Sequence, residues 1–143
     1  MRSLVALISL LAVQPVAAEG NETNFSCALT APVYAKQAAS GGWWYVNADR
    51  SIWAGWDVVR MEAGPKGNKV LWLRPKGTEL RFQARRLDTE AALVEGDVPC
   101  CYGGRLQASG ITFPTDGCWE ITAKAGNSEL VLVTLVYPQR VTP

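Results

Sequence analysis

Apolar residues recur along this chain at alternate positions or in short runs, and Gly, Pro, Asn or Asp closes nearly every run. A period of two belongs to strands, whose successive side chains point to opposite faces, and no helical i, i+3, i+4, i+7 pattern is sustained anywhere. The pattern predicts strands over 28–34, 43–46, 51–56, 69–74, 79–87, 106–113, 118–123 and 129–137. Short strands at this spacing, parted by turn residues, predict an all-β chain folded as an antiparallel β-sandwich of seven to eight strands. One domain over 27–138 accounts for them all, with a short tail at 139–143.

Two connections are predicted as hairpins. In Arg74-Pro75-Lys76-Gly77, proline presets φ and glycine supplies a positive one, so a type II turn is expected to fold 70–73 back on 80–84. The second joins 119–123 to the last strand through the turn 124–128. In its first arm Trp119, Ile121 and Ala123 share one face, and Glu120, Thr122 and Lys124 the other, so Trp119 is expected in the core and Cys118 on the opposite face. The final strand, Leu130 to Val136, is apolar on both faces, which predicts a central or covered position.

The N-terminus adds a compartment. Arg2 precedes a ten-residue apolar run from Leu4 to Val13, too short to span a bilayer, and Val16-x-Ala18 offers small side chains to a peptidase. We read 1–18 as a signal peptide cleaved after Ala18 and 19–26 as a flexible segment, which makes the protein secreted or periplasmic, with no membrane insertion once the signal is removed. Without Arg2 the 14 Lys and Arg become thirteen, against 13 Asp and Glu, so the mature chain is formally neutral. Such a chain has no broad electrostatic reason to seek nucleic acid. Its one basic cluster, Arg74, Lys76, Arg81, Arg85 and Arg86, reads as a solvated face.

An exported chain with four cysteines is expected to form disulfides. Adjacent Cys100 and Cys101 bridge each other only through a strained eight-membered ring, so either Cys27 pairs with Cys118, or each outer cysteine takes one of the vicinal pair. The first pairing is favoured, with Cys100 and Cys101 left as a second, vicinal disulfide or reduced. A zinc site lacks any C-x-x-C spacing, and no metal or other cofactor is expected.

The chain has no histidine, which removes every Ser-His, Cys-His and His-metal constellation. Carboxylate pairs can be drawn only as Asp57 with Glu62 or Asp116 with Glu120, each of which reads as surface charge, and the glycine-rich stretches at 63–67 and 102–104 precede no helix. The expectation is a protein that is not an enzyme. Tryptophan is the abundant residue, with 6 in the chain. Trp43, Trp44, Trp53 and Trp56 lie close together and are the candidate ligand-binding residues, a stacking surface for a sugar or another apolar ligand. Because Trp43-Trp44-Tyr45 alternates, one large ring must face away from the core, and Trp44 is the one expected to be accessible. The partner is therefore an unidentified protein or a glycan, the latter making the chain a carbohydrate-binding module.

Arg85-Arg86-Leu87-Asp88, the stretch Ser109-Gly110-Ile111-Thr112-Phe113-Pro114-Thr115-Asp116-Gly117-Cys118-Trp119-Glu120-Ile121-Thr122-Ala123 and the closing Leu130 to Val136 resemble a group of uncharacterised exported bacterial proteins. Their shared phrase is F-P-T-x-G-C-W-E, and the resemblance covers roughly residues 43 to 137. It implies export and an immunoglobulin-like sandwich, and it implies no activity. The phrase also parallels the corner of immunoglobulin-like domains, with Trp119 standing where a tyrosine is usual. Cys100 beside Cys101 departs from the group.

Overall fold

The computed structural model describes residues 25–36, 42–56, 60–100 and 102–140. The expected signal peptide, its cleavage site, Asp57 and Cys101 lie outside the described residues. Ten strands are present among the described residues: β1 (Val33–Ala35), β2 (Gly42–Val46), β3 (Trp53–Gly55), β4 (Met61–Glu62), β5 (Asn68–Leu73), β6 (Leu80–Arg86), β7 (Val94–Glu95), β8 (Leu106–Ile111), β9 (Gly117–Ala125) and β10 (Ser128–Tyr137). They form two five-stranded sheets, ordered β1-β2-β3-β5-β8 and β4-β10-β9-β6-β7. All pairings are antiparallel except β4 with β10, which is parallel.

The order is immunoglobulin-like. Strands β6, β9 and β10 lie side by side as the C, F and G strands of that fold do, β7 extends them as C′ does, and β5 beside β8 supplies the B–E pair of the facing sheet. Strands β4 and β7 were not foreseen, because two residues are too few to show a period. The predicted strand over 28–34 shrinks to β1, and the chain before it runs as a strap. Thr30 exchanges hydrogen bonds with Val133 on β10, its backbone N–H donating to the Val133 carbonyl (3.0 Å) and its Oγ1 accepting from the Val133 N–H (2.9 Å).

The predicted hairpin across Pro75 is a correction. Strand β5 belongs to one sheet and β6 to the other, so the connection is an arch between sheets. A tight turn is still there, one residue later than expected: the Thr78 N–H donates to the Pro75 carbonyl at 3.3 Å, and Gly77 takes the positive φ of 76°. Alternation is blind to the choice, because a hairpin and an arch both bury Val70 and Trp72 with Leu80 and Phe82. In the arch Trp72 and Phe82 meet across the interior, their ring centroids 4.9 Å apart.

The second hairpin forms, tightened to a two-residue loop at Gly126 and Asn127, with Ala125 paired to Ser128. Trp119, Ile121, Ala123 and Ala125 line the inner face of β9 and are buried. The Trp119 ring packs on Phe113, and its indole N–H donates to the Thr115 carbonyl four residues upstream at 3.2 Å, the anchoring job a tyrosine hydroxyl does at the corner of immunoglobulin-like domains. Strand β10 is central, between β9 and β4.

Candidate binding surfaces

Cross-strand partners share a face, so the register sorts every side chain of a sheet into inward and outward. On the sheet β4-β10-β9-β6-β7 the outward rows are Arg81–Lys124–Glu129, Gln83–Thr122–Val131 and Arg85–Glu120–Val133. Arg85 bridges Glu120 at 2.9 Å and Lys124 bridges Glu129 at 3.1 Å. This face is charged and wet apart from Val131, which is 46% exposed. Its other apolar part lies near Cys118 and Leu135, where Cys27 reaches over and forms a disulfide with Cys118, Cα–Cα 5.8 Å. Cys100 also takes part in a disulfide.

The outward rows of β1-β2-β3-β5-β8 are different in kind. One reads Val46–Trp53–Leu73–Leu106, and the next Trp44–Gly55–Leu71–Ala108 with Val33 beside Trp44. Lys69 is the only charged residue on the outward side of β5, and Leu106 is 41% exposed. Strand β8 is inverted, with Leu106, Ala108 and Gly110 pointing out while Gln107 and Ser109 point in. The inward polar groups are satisfied there: the Trp72 indole N–H donates to Ser109 Oγ at 2.7 Å, and Ser109 Oγ donates to the Val70 carbonyl at 3.3 Å.

The four candidate tryptophans do not form one platform. Trp44 is the correction: it is 3% exposed, and its indole lies on the directly opposed Gly55, where a Cβ would stand 3.0 Å from Cε3. The ring faces away from the core, as alternation requires, yet the missing side chain opposite gives it a seat. Trp43 is the accessible ring, 65% exposed, in edge contact with Tyr34 at a centroid distance of 5.4 Å. Both sit on the inward face of their strands, at the end of the sheet beyond the cover of its partner sheet. Trp56 stacks on Tyr45 at 4.8 Å and packs against the core. Burial holds the Tyr45 hydroxyl above its ordinary pKa despite a hydrogen bond with Thr134. Trp53 is half-buried, donates to the Arg50 carbonyl at 2.8 Å and carries the Arg50 guanidinium 5.1 Å from its ring centre.

Several carboxylates are engaged with cations. Glu62 accepts from Arg140 at 2.7 Å and from Arg60 at 3.3 Å, and the hydrogen bond to Arg140 lowers its pKa. Asp88 accepts from Arg86 at 2.6 Å and from the Cys118 N–H at 3.3 Å; Arg86 holds its carboxyl below the usual range. Glu120 belongs to Arg85, and Asp116 is exposed. Among the described residues no three Cys, Asp or Glu gather as metal ligands would.

One residue of the basic cluster departs from the solvated-face expectation. Arg74 is 3% exposed, whereas Lys76, Arg81 and Arg85 are on the surface. Its guanidinium donates to the Pro75 carbonyl (3.2 Å), the Tyr102 carbonyl (2.8 Å) and Gln107 Oε1 (3.3 Å), and among the described residues its Nε has no acceptor. Among the described residues no carboxylate pairs with it. The signal was in the sequence: Val70, Trp72 and Arg74 continue one alternation, and it points inward.

Compared with known protein families, curated proteins and solved structures, the chain matches none.

Proposed function

We propose that this chain is a secreted or periplasmic module without catalytic chemistry, which binds a protein partner through the outer face of β1-β2-β3-β5-β8. The observation that carries the reading is the outward row Val46–Trp53–Leu73–Leu106 with Leu71 and Ala108 beside it. An antiparallel sheet with one face on the core normally shows water a polar face, as the other sheet of this molecule does. Contiguous apolar surface rimmed by polar residues is the mark of an interaction site. The apolar signal sequence supports export, and the lack of histidine with the engagement of Glu62 and Glu120 by arginines supports a role without acid-base chemistry.

A photo-crosslinking residue at position 106, with position 83 on the charged face as control, tests this in the cells that export the protein. One defined adduct from position 106, lost when Leu73→Lys is added, is the expected result. Equal adducts from both faces, or none, would reject the reading.

A second reading has its own support in the exposed Tyr34–Trp43 pair, since a projecting indole is a stacking surface for a sugar ring. It predicts that a polysaccharide protects wild-type fluorescence from iodide, and that the protection disappears in Trp43→Ala.

A further inference from the structure

The strongest unexplained feature of the molecule is the uncompensated charge of Arg74. It lies one inward position beyond the row Tyr45–Ala54–Trp72–Gln107, just past β5, its N–H donating to the Arg105 carbonyl at 3.0 Å, and it borders a cleft of about 950 Å³ between β6 and the loop that leads from β7 into β8. That volume falls within the range of small-molecule sites. The cleft's other walls are Leu80, Phe82, Val98 and Tyr102, with Gln107 beside the guanidinium. Gly96 lies flat on the Phe82 ring, where a Cβ has no room, so the loop hugs the apolar side of the cleft.

Burying a cation without a partner anion is unfavourable, and carbonyl dipoles compensate only part of it. Here three neutral oxygens surround Arg74, and Nε is left with none. Nε–H and one N–H of Nη2 point the same way along one edge of the planar guanidinium, the edge that accepts a carboxylate with two parallel hydrogen bonds. The Tyr102 carbonyl occupies Nη2, and it belongs to an exposed loop whose next residues are Gly103 and Gly104.

We propose that this cleft binds a small organic monoanion, a carboxylate on an apolar or aromatic body. The carboxylate takes the place of the Tyr102 carbonyl on Nη2 and supplies the acceptor that Nε lacks, while the body lies against Phe82, Leu80 and Val98. A single negative charge is what Arg74 calls for, because Arg81 and Lys124 are already bridged to Glu79 and Glu129 and the remaining charge of the lining, Glu95, disfavours a second negative charge. The site lies at the β6 side of the sandwich and is independent of the apolar outer face.

The test uses the mature protein with benzoate as probe, benzyl alcohol as its neutral analogue and phenyl phosphate as its dianion, read through the Nε–Hε resonance of Arg74 and the amides of Tyr102 and Gln107. Benzoate is expected to shift these signals saturably, with benzyl alcohol weaker by about 10- to 100-fold, the ratio that loss of a hydrogen-bonded charge implies. Arg74→Lys, which keeps the charge but loses the fork, should weaken benzoate by about tenfold. Failure of benzoate to move the Arg74 signal overturns the proposal, as does equal binding of the alcohol. Tighter binding of phenyl phosphate overturns the monoanion assignment. Should Arg74→Lys not fold, the wild-type titrations decide by themselves.

Discussion

The two sheets bury their inner faces in the same way and treat their outer faces in opposite ways. Outside β6, β9 and β10, Arg81, Arg85, Glu120, Lys124 and Glu129 form ion pairs, and the apolar residues that remain near Leu135 lie beside the Cys27–Cys118 strap. Outside β2, β3, β5 and β8, the equivalent rows are Trp, Leu, Val and Ala. The core residues thus explain the fold of both sheets, whereas the outer residues separate a charged side from an apolar one.

Four variants put this contrast at risk. Removing the strap has the largest expected effect. The double substitution Cys27→Ala with Cys118→Ala opens a loop of sequence separation 91, so urea unfolding should show a loss of about 4 to 5 kcal/mol. Next comes Gly55→Ala: the new Cβ would stand 3.0 Å from the Trp44 ring, so the indole must lift off its seat, at a cost of about 1 to 3 kcal/mol. Unchanged stability with unshifted Trp44 fluorescence would show that the seat is loose.

Asp88 gives a smaller, pH-dependent effect. Arg86 lowers its folded pKa, so the pair contributes stability above the unfolded aspartate value of about 3.9 and loses it as pH falls through the lower folded value. Wild type should therefore lose stability relative to Asp88→Asn across that acidic window, and melts taken between neutral and strongly acid pH would expose it. The smallest effect on stability is expected from Leu106→Lys. At an exposed outward position on an edge strand it should change unfolding by no more than about 0.5 kcal/mol, while it removes partner binding altogether. A large loss of stability instead would make Leu106 part of the fold and not of the contact surface.

How much of this was legible in the sequence depends on how far each feature reaches along the chain. The alternation through Trp119, Ile121 and Ala123 is local, and it placed the inner face of β9, the opposite orientation of Cys118 and the tight return into β10. The partner strand is not local: nothing in Val70-Leu71-Trp72-Leu73 tells whether the chain after Pro75 returns to the same sheet or crosses to the other. Trp44 failed for the same reason, since its burial depends on Gly55 directly opposite, a residue whose relevance appears only when the register is known. Arg74 was legible and was missed because its charge outweighed its parity. The outer face of β5 and β8 was partly legible, as Leu71, Leu73, Leu106 and Ala108 are apolar, but without strand order they could not be joined into rows.

The strap also decides how the domain responds to a mechanical load. A pull between residues 25 and 140 leaves the backbone at Cys27 and enters β9 through the sulfurs at Cys118, so the ninety residues between the two cysteines lie off the covalent load path. The covalent load path then runs through the β9–β10 hairpin, entering at Cys118 and leaving past Tyr137, at neighbouring ends of two antiparallel strands whose rungs there are Gly117–Val136 and Cys118–Leu135, with the short pairing of β10 to β4 loaded beside them. Rungs loaded in that geometry open successively, like a zipper. The hairpin is thus the compliant element under tension, and the sheet bearing the apolar outer face is sheltered inside a covalent ring.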